Sequence, residues 1–143
     1  KAGRLTAVLA SLSCLFMNLR EARALTALDS ASAAETARAL RQAGLASGVI
    51  TAGGQPLTGF DAEGIFTVAP PSARMVADVT GAGDAIAGVT VAHMMRGMAL
   101  RQAVRRGMAA ALLTVESPAV VADYGDEEFA AALALVAPAL PVE

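Results

Sequence analysis

The chain has 143 residues, 55% hydrophobic and 17% charged, with a formal net charge of −2; this suits one ordinary domain with a real core and excludes a disordered chain. Alanine supplies 35 residues, Trp is absent, and Tyr124 with four Phe are the only rings, which argues against a stacking platform for single-stranded nucleic acid. Lone Cys14 and His93 exclude a disulfide framework and argue against a protein-built zinc site.

The first residue is Lys, so a piece of a longer protein is expected. Leu5–Leu19 is uncharged but shorter than the ~20 apolar residues a membrane helix needs. Polar Ser11, Ser13 and Asn18, and charges around Ala22–Ala24, argue against a secretion signal. A cytoplasmic protein with no membrane span is the expectation, and Cys14 reads as a small core residue.

Ser13–Asn18 is predicted as a short buried strand, followed by a helix over Leu19–Leu28. Ser32-Ala-Ala-Glu35 has capping-box form and opens a helix with Ala33, Ala37 and Leu40 on one face. Gly44 stands where a left-handed cap would end it. Gly48–Thr51 is a second strand stopped by Gly53-Gly54, and Gln55–Val68 is a hairpin turning at Asp61–Gly64 before Pro70-Pro71. Arg74–Ala77 is a further strand that runs into Asp78-Val-Thr-Gly-Ala-Gly-Asp84. Helices are predicted over Ala82–Arg96, Leu100–Val115 and Asp126–Ala137, the first two separated by Gly97. Alternating strands and helices predict an α/β protein with a mainly parallel sheet.

Lys1 is the only lysine, so a phosphate site must use backbone amides, helix ends or arginine. Gly81-Ala82-Gly83-Asp84 lies between a strand and a long helix, where unpaired N–H groups and the positive end of the dipole favour an anion. Two readings of Asp84 stand side by side. It favours the first helical turn electrostatically, or it accepts a proton from a hydroxyl that attacks phosphorus while the amides neutralise the transferring group. A Walker A loop is excluded by the missing lysine. A dinucleotide fingerprint is excluded by Ile86 in place of the third glycine and by the lack of any acidic residue between Asp84 and Glu116. Arg96, Arg101, Arg105 and Arg106 read as a solvated helix face, since a chain of net charge −2 is a poor nucleic-acid binder. His93 reads as an ordinary packed or exposed histidine.

The octet Asp78-Val79-Thr80-Gly81-Ala82-Gly83-Asp84-Ala85 resembles the C-terminal signature of the ribokinase-like, or PfkB, carbohydrate kinase family. Asn18-Leu19-Arg20-Glu21 is similar to the family's Asn-x-x-Glu motif, and Thr51-Ala52-Gly53-Gly54 to its Thr-x-Gly turn. The resemblance covers about residues 13–140 and implies the C-terminal half of a three-layer α/β/α kinase domain. The N-terminal half, with its sugar contacts and β lid, is expected to be missing. By resemblance, Asp84 is the catalytic base and the amides of Gly81, Ala82, Gly83 and Asp84 form the anion hole. Asn18 and Glu21 act on Mg2+ through waters, Thr51, Gly53 and Gly54 lie along the ATP phosphates, and Asp78 with the Thr80 carbonyl belongs to a K+ site. Capping explains Asn18 and Glu21 as well, a β-strand explains Thr51, and a turn explains Asp78.

The implied activity is transfer of the ATP γ-phosphate to a hydroxyl of a small sugar or nucleoside, with no nucleic-acid or membrane partner. Val79 and Ala111–Ser117 most resemble the family's pseudouridine kinases. Half a sheet would leave open edges, so self-association as a homodimer is a further expectation. The other functional class that remains is a non-catalytic nucleotide-binding module or a degenerate half-gene.

Overall fold

The computed structural model describes residues 2–73, 79–119 and 121–142. Asp78 and the strand expected over Arg74–Ala77 lie outside them. The chain divides into two compact units, one running to Thr67 and taking in the residues from Leu140 onward, the other spanning Val68–Ala139.

The first unit holds α1 (Ala2–Ser11), β1 (Leu15–Asn18), α2 (Leu19–Thr26), α3 (Ala33–Gln42), β2 (Gly48–Ala52), β3 (Gln55–Asp61) and all but the last residue of β4 (Gly64–Val68), and is joined by β5 (Leu140–Pro141) from near the chain's end. The uncharged stretch ahead of β1 thus forms a helix, as its alanine and leucine content allows. The strands make one sheet in the order β1-β2-β3-β4-β5. β1 and β2 are parallel, in register from Leu15 opposite Gly48 to Asn18 opposite Thr51. β2 with β3, and β4 with β5, are antiparallel. The α/β class holds, but the described sheet is mixed where the sequence predicts a mainly parallel one. Gly53-Gly54 and Ala62-Glu63 are two-residue links, which can join only antiparallel neighbours. The β1–β2 connection, carrying α2 and α3, is long enough for a parallel crossover.

Side-chain capping starts α2 and α3. Asn18 Oδ1 accepts from the Glu21 amide at 2.9 Å and Glu21 Oε2 accepts from the Asn18 amide at 2.8 Å. Ser32 and Glu35 repeat the exchange at 3.2 and 2.7 Å, and so satisfy amides that have no partner within the helix. At the other end of α3, Gly44 has φ +100°. The Leu45 amide donates back to Leu40 and the Gly44 amide to Arg41, a Schellman closure that brings two core leucines together. Leu9, Met17, Ala22, Ala37, Leu40, Leu45, Ile50, Phe60 and Ile65 form one buried cluster.

Rings fill the space that small residues leave open. A Cβ on Gly48 would come 2.6 Å from Phe60 Cζ, and one on Gly59 would strike the tip of the Phe66 ring at Cζ. Both rings are fully buried.

The second unit holds α4 (Ala82–Met94), α5 (Leu100–Glu116) and α6 (Asp126–Leu135). Most of α5 is buried, from Leu100 through Ala103, Val104 and Gly107 to Leu112. At Gly107 it meets α4 backbone to backbone. A Cβ there would lie 2.6 Å from the Ile86 carbonyl oxygen and would strike Thr90 Oγ1. Thr90 is fully buried and its hydroxyl has no hydrogen-bond partner among the described residues; facing Gly107, it has weak C–H···O contact available instead. Arg105 closes the end of α6, donating from Nη2 to the Val136 carbonyl at 2.8 Å and from Nε to that of Ala137 at 2.9 Å. Among the described residues, no helix is long and apolar enough to cross a membrane.

Two outcomes follow for stability. Gly59→Ala should lower the unfolding free energy by about 1–3 kcal/mol through overpacking against Phe66, whereas Gly54→Ala, with open space around it, should change it by less than about 0.5 kcal/mol; urea denaturation measures both. Ser32→Ala should cost about 1 kcal/mol. Hydrogen bonds from the Ser32 backbone and hydroxyl hold the Glu35 carboxyl below its usual range, so its share of the cap is present above the unfolded-state value and is lost as pH falls through the lower folded value. Denaturation midpoints of a Glu35→Gln variant should therefore converge with those of the parent in acid.

Candidate functional site

The clearest site lies where the octet enters α4. Gly81 is the helix N-cap with φ +83° and ψ −4°, a left-handed conformation that an L side chain resists. Its carbonyl accepts from the Ala85 amide at 2.9 Å, and the Ala82 amide donates to Val79 at 3.3 Å. Helix geometry leaves the amides of Gly83 and Asp84 without an acceptor one turn back, so they face out of the positive end. A Cβ on Gly83 would meet no atom within 4 Å, which leaves that backbone open to a ligand. Gly81 sits beside the end of α5, where its Cβ position lies 3.9 Å from Thr114 Cγ2.

Asp84 is exposed. Its carboxylate makes no hydrogen bond or ion pair among the described residues, and no side chain caps α4. The capping role that accounts for Glu21 and Glu35 is therefore not the role of Asp84.

In the first unit, the parallel register sets Asn18 opposite Thr51. Two motifs more than thirty residues apart thus meet at the carboxyl ends of adjacent strands. Asn18 and Glu21 each spend one atom on the capping box, and this fixes their side chains while one Glu21 carboxylate oxygen remains for other use. Gly53, with φ +61°, and Gly54 follow in the β2–β3 turn, and a Cβ on either would meet nothing within 4 Å. Thr80 lies in the turn before Gly81, and Asp78 is outside the described residues.

No group of three or more His, Cys, Asp or Glu able to hold a metal occurs among the described residues. Magnesium bound with a nucleotide needs only one or two carboxylates beside phosphates and water, a demand the Glu21 carboxylate fits. Cys14 is half-buried; burial pushes its thiol up, against hydrogen bonds from Ser47 and the Leu15 backbone, so it is a poor nucleophile. The contacts of Gly81 with Thr114 and of Ile86 with Gly107 were not visible in sequence, since nothing in a small-residue helix says which neighbour it meets.

Gly81→Ala should destabilise the chain by about 1–2 kcal/mol because of the left-handed backbone, measured as a fall in the urea midpoint.

The family model "pfkB family carbohydrate kinase" matches residues 1–124. No match was found among curated protein sequences. Among solved structures, the chain is 39% identical to a carbohydrate kinase from Agrobacterium tumefaciens, with a TM-score of 0.76, over 97% of this chain and 44% of that one. It is 24% identical to phosphofructokinase-2 from Escherichia coli in complex with potassium, with a TM-score of 0.77, over 91% of this chain and 43% of that one. It is 19% identical to an Escherichia coli chain assigned as ribokinase II, solved with ATP and Mg2+, with a TM-score of 0.74, over 92% of this chain and 42% of that one. The chain spans less than half the length of these relatives. With the octet at the head of α4 and this agreement along most of its length, the chain belongs to the pfkB family of carbohydrate kinases.

Proposed function

We propose that this chain carries the phosphate-handling half of an ATP-dependent kinase that phosphorylates a hydroxyl of a small sugar or nucleoside. The observation that carries the reading is the open start of α4, with outward amides at Gly83 and Asp84, bare backbone at Gly83, and a carboxylate at Asp84 that makes no hydrogen bond or ion pair among the described residues.

In this reading the acceptor hydroxyl oxygen attacks the γ-phosphorus, its proton passes to the Asp84 carboxylate, and the bond to the bridging oxygen breaks to release ADP. Amides of Gly81, Gly83 and Asp84 stabilise the charge on the transferring group, the larger part of catalysis in phosphoryl transfer, whereas the Ala82 amide is taken up by the Val79 carbonyl. Thr51, Gly53 and Gly54 follow the ATP phosphates. Asn18 and Glu21 would hold Mg2+ through waters, and that ion would supply neutralisation of phosphate charge. Asp78 and the Thr80 carbonyl would serve a K+ ion; the potassium complex of the phosphofructokinase-2 relative supports testing one. The carbohydrate kinase at 39% identity supports a sugar-type acceptor. Within that class, pseudouridine is the first nucleoside to test, on the likeness of Val79 and Ala111–Ser117 to pseudouridine kinases.

More than half of each matched relative has no counterpart here, so the 143 residues alone should turn over little, for want of the parts that close over a substrate and exclude water. Brisk sugar-dependent ATP consumption by this chain would contradict that expectation.

Two variants test the site in a protein that includes such a region. Asp84→Asn should bind ATP normally and lose about 100-fold or more in kcat across a panel of pseudouridine, ribose and fructose phosphates. An undiminished rate would remove Asp84 as the base, and ATP binding without turnover by the parent would favour a non-catalytic module. Gly83→Ala should raise stability by about 0.5–1 kcal/mol, as alanine does within a helix, yet weaken ATP binding because its methyl occupies the approach to the amides. Calorimetry and thermal unfolding read the two effects separately.

A further inference from the structure

Residues 85–115 contain four arginines and His93 but no acidic residue, and the phosphotransfer reading uses none of these charges. Arg105 is accounted for by the α6 carbonyls. Arg96 and Arg106 are not. The turn that ends α4 folds back on itself around Gly97, at φ +89°, with the Arg96 and Met98 amides both donating to the His93 carbonyl at 3.1 Å. From α5, Arg106 reaches this turn, and its Nη1 donates to Met98 Sδ at 3.4 Å.

His93, Arg96 and Arg106 therefore share one corner of the α4–α5 hairpin, and both guanidinium groups act on the imidazole. No ion pair engages Arg96 or Arg106 among the described residues. A thioether is a weak acceptor, so the partly buried Arg106 fork has donors to spare. Like charges gathered without a counter-ion are costly, and an anion bound among them removes that cost.

We propose that this corner is a binding site for a phosphate-type dianion, inorganic phosphate or a phosphomonoester, held by Arg96 and Arg106 and completed by His93. Two guanidinium forks match the tetrahedral oxygens of such an ion better than they match a lone carboxylate. Nucleic acid is the poorer fit, since no aromatic residue occurs within 85–115 and the chain's net charge is negative. The corner lies at the opposite end of the 13-residue α4 from Asp84, about 15 Å along the helix, and the proposal does not rest on the phosphotransfer reading.

Partial burial, then Arg106 and Arg96, push the His93 imidazole down from its ordinary value. A bound dianion opposes that push, so binding should raise the His93 midpoint.

His93 is the only histidine, so its ring resonances report the site without ambiguity. The 143-residue chain is titrated with inorganic phosphate at constant ionic strength against chloride and followed by NMR. Saturable shifts are expected at the His93 ring and the Arg96 and Gly97 amides, with the His93 midpoint raised by about half a unit. Arg106→Gln and Arg96→Gln should each weaken binding about fivefold or more. Linear shifts matching those in chloride, affinity unchanged in both variants, or shifts confined to Gly81–Asp84 would overturn the proposal. So would a short single-stranded RNA that binds this corner more tightly than phosphate at equal salt.

Discussion

Close approach to glycine is the constraint on which both units depend. A chain with 35 alanines and five rings cannot fill a thick core with bulk, so elements must come near enough for small groups to touch. In the sheet, Phe60 covers Gly48 and Phe66 covers Gly59; in the helices, Gly107 admits the Ile86 backbone and Thr90. The candidate site elements inherit this packing. Phe60 over Gly48 buries the start of the parallel pair whose far end sets Asn18 beside Thr51. Gly107 seats α4 at Ile86, two residues beyond Asp84.

Helix starts divide the labour. α2 and α3 close their first turns with their own side chains, and for Asn18 and Glu21 this closure also holds the side chains in one geometry. Preorganisation of that kind lets a group serve a ligand without further ordering cost. At α4 there is no such closure: Gly81 has no side chain to fold back, and Asp84 is exposed and makes no hydrogen bond or ion pair among the described residues.

Arginine takes the structural work that lysine does elsewhere, and does it through its fork. Arg23 Nε donates to the Ala31 carbonyl at 2.8 Å across the α2–α3 connection, and Arg105 binds two carbonyls at the end of α6. Both uses place a planar cation on backbone carbonyls, and at the end of α6 its charge also complements the helix dipole. Arg96 and Arg106 hold no such carbonyl among the described residues; Arg106 donates to Met98 Sδ instead.

Local chemistry made much of this legible from residues alone. Ser32 with Glu35, Gly44, the Asp61–Gly64 turn and the helix at Ala82 are decided by contacts within four residues, and the structure agrees on each. The octet could be read because its backbone demands, glycine at 81 and open space at 83, are met by residue type. The sheet's direction was harder: alternation of elements suggested parallel strands, but two-residue links at Gly53-Gly54 and Ala62-Glu63 impose antiparallel neighbours, and only the β1–β2 crossover escapes them. Sequence by itself determined the α/β class, the capped helices and the candidate phosphate loop, because those follow from local propensity and side-chain-to-backbone bonds. Tertiary structure alone decided that Asn18 faces Thr51, that Gly107 receives Ile86, and that Arg106 reaches the turn after His93. Each of these joins residues distant in the chain, and such meetings depend on register and helix packing, which no short stretch of sequence encodes.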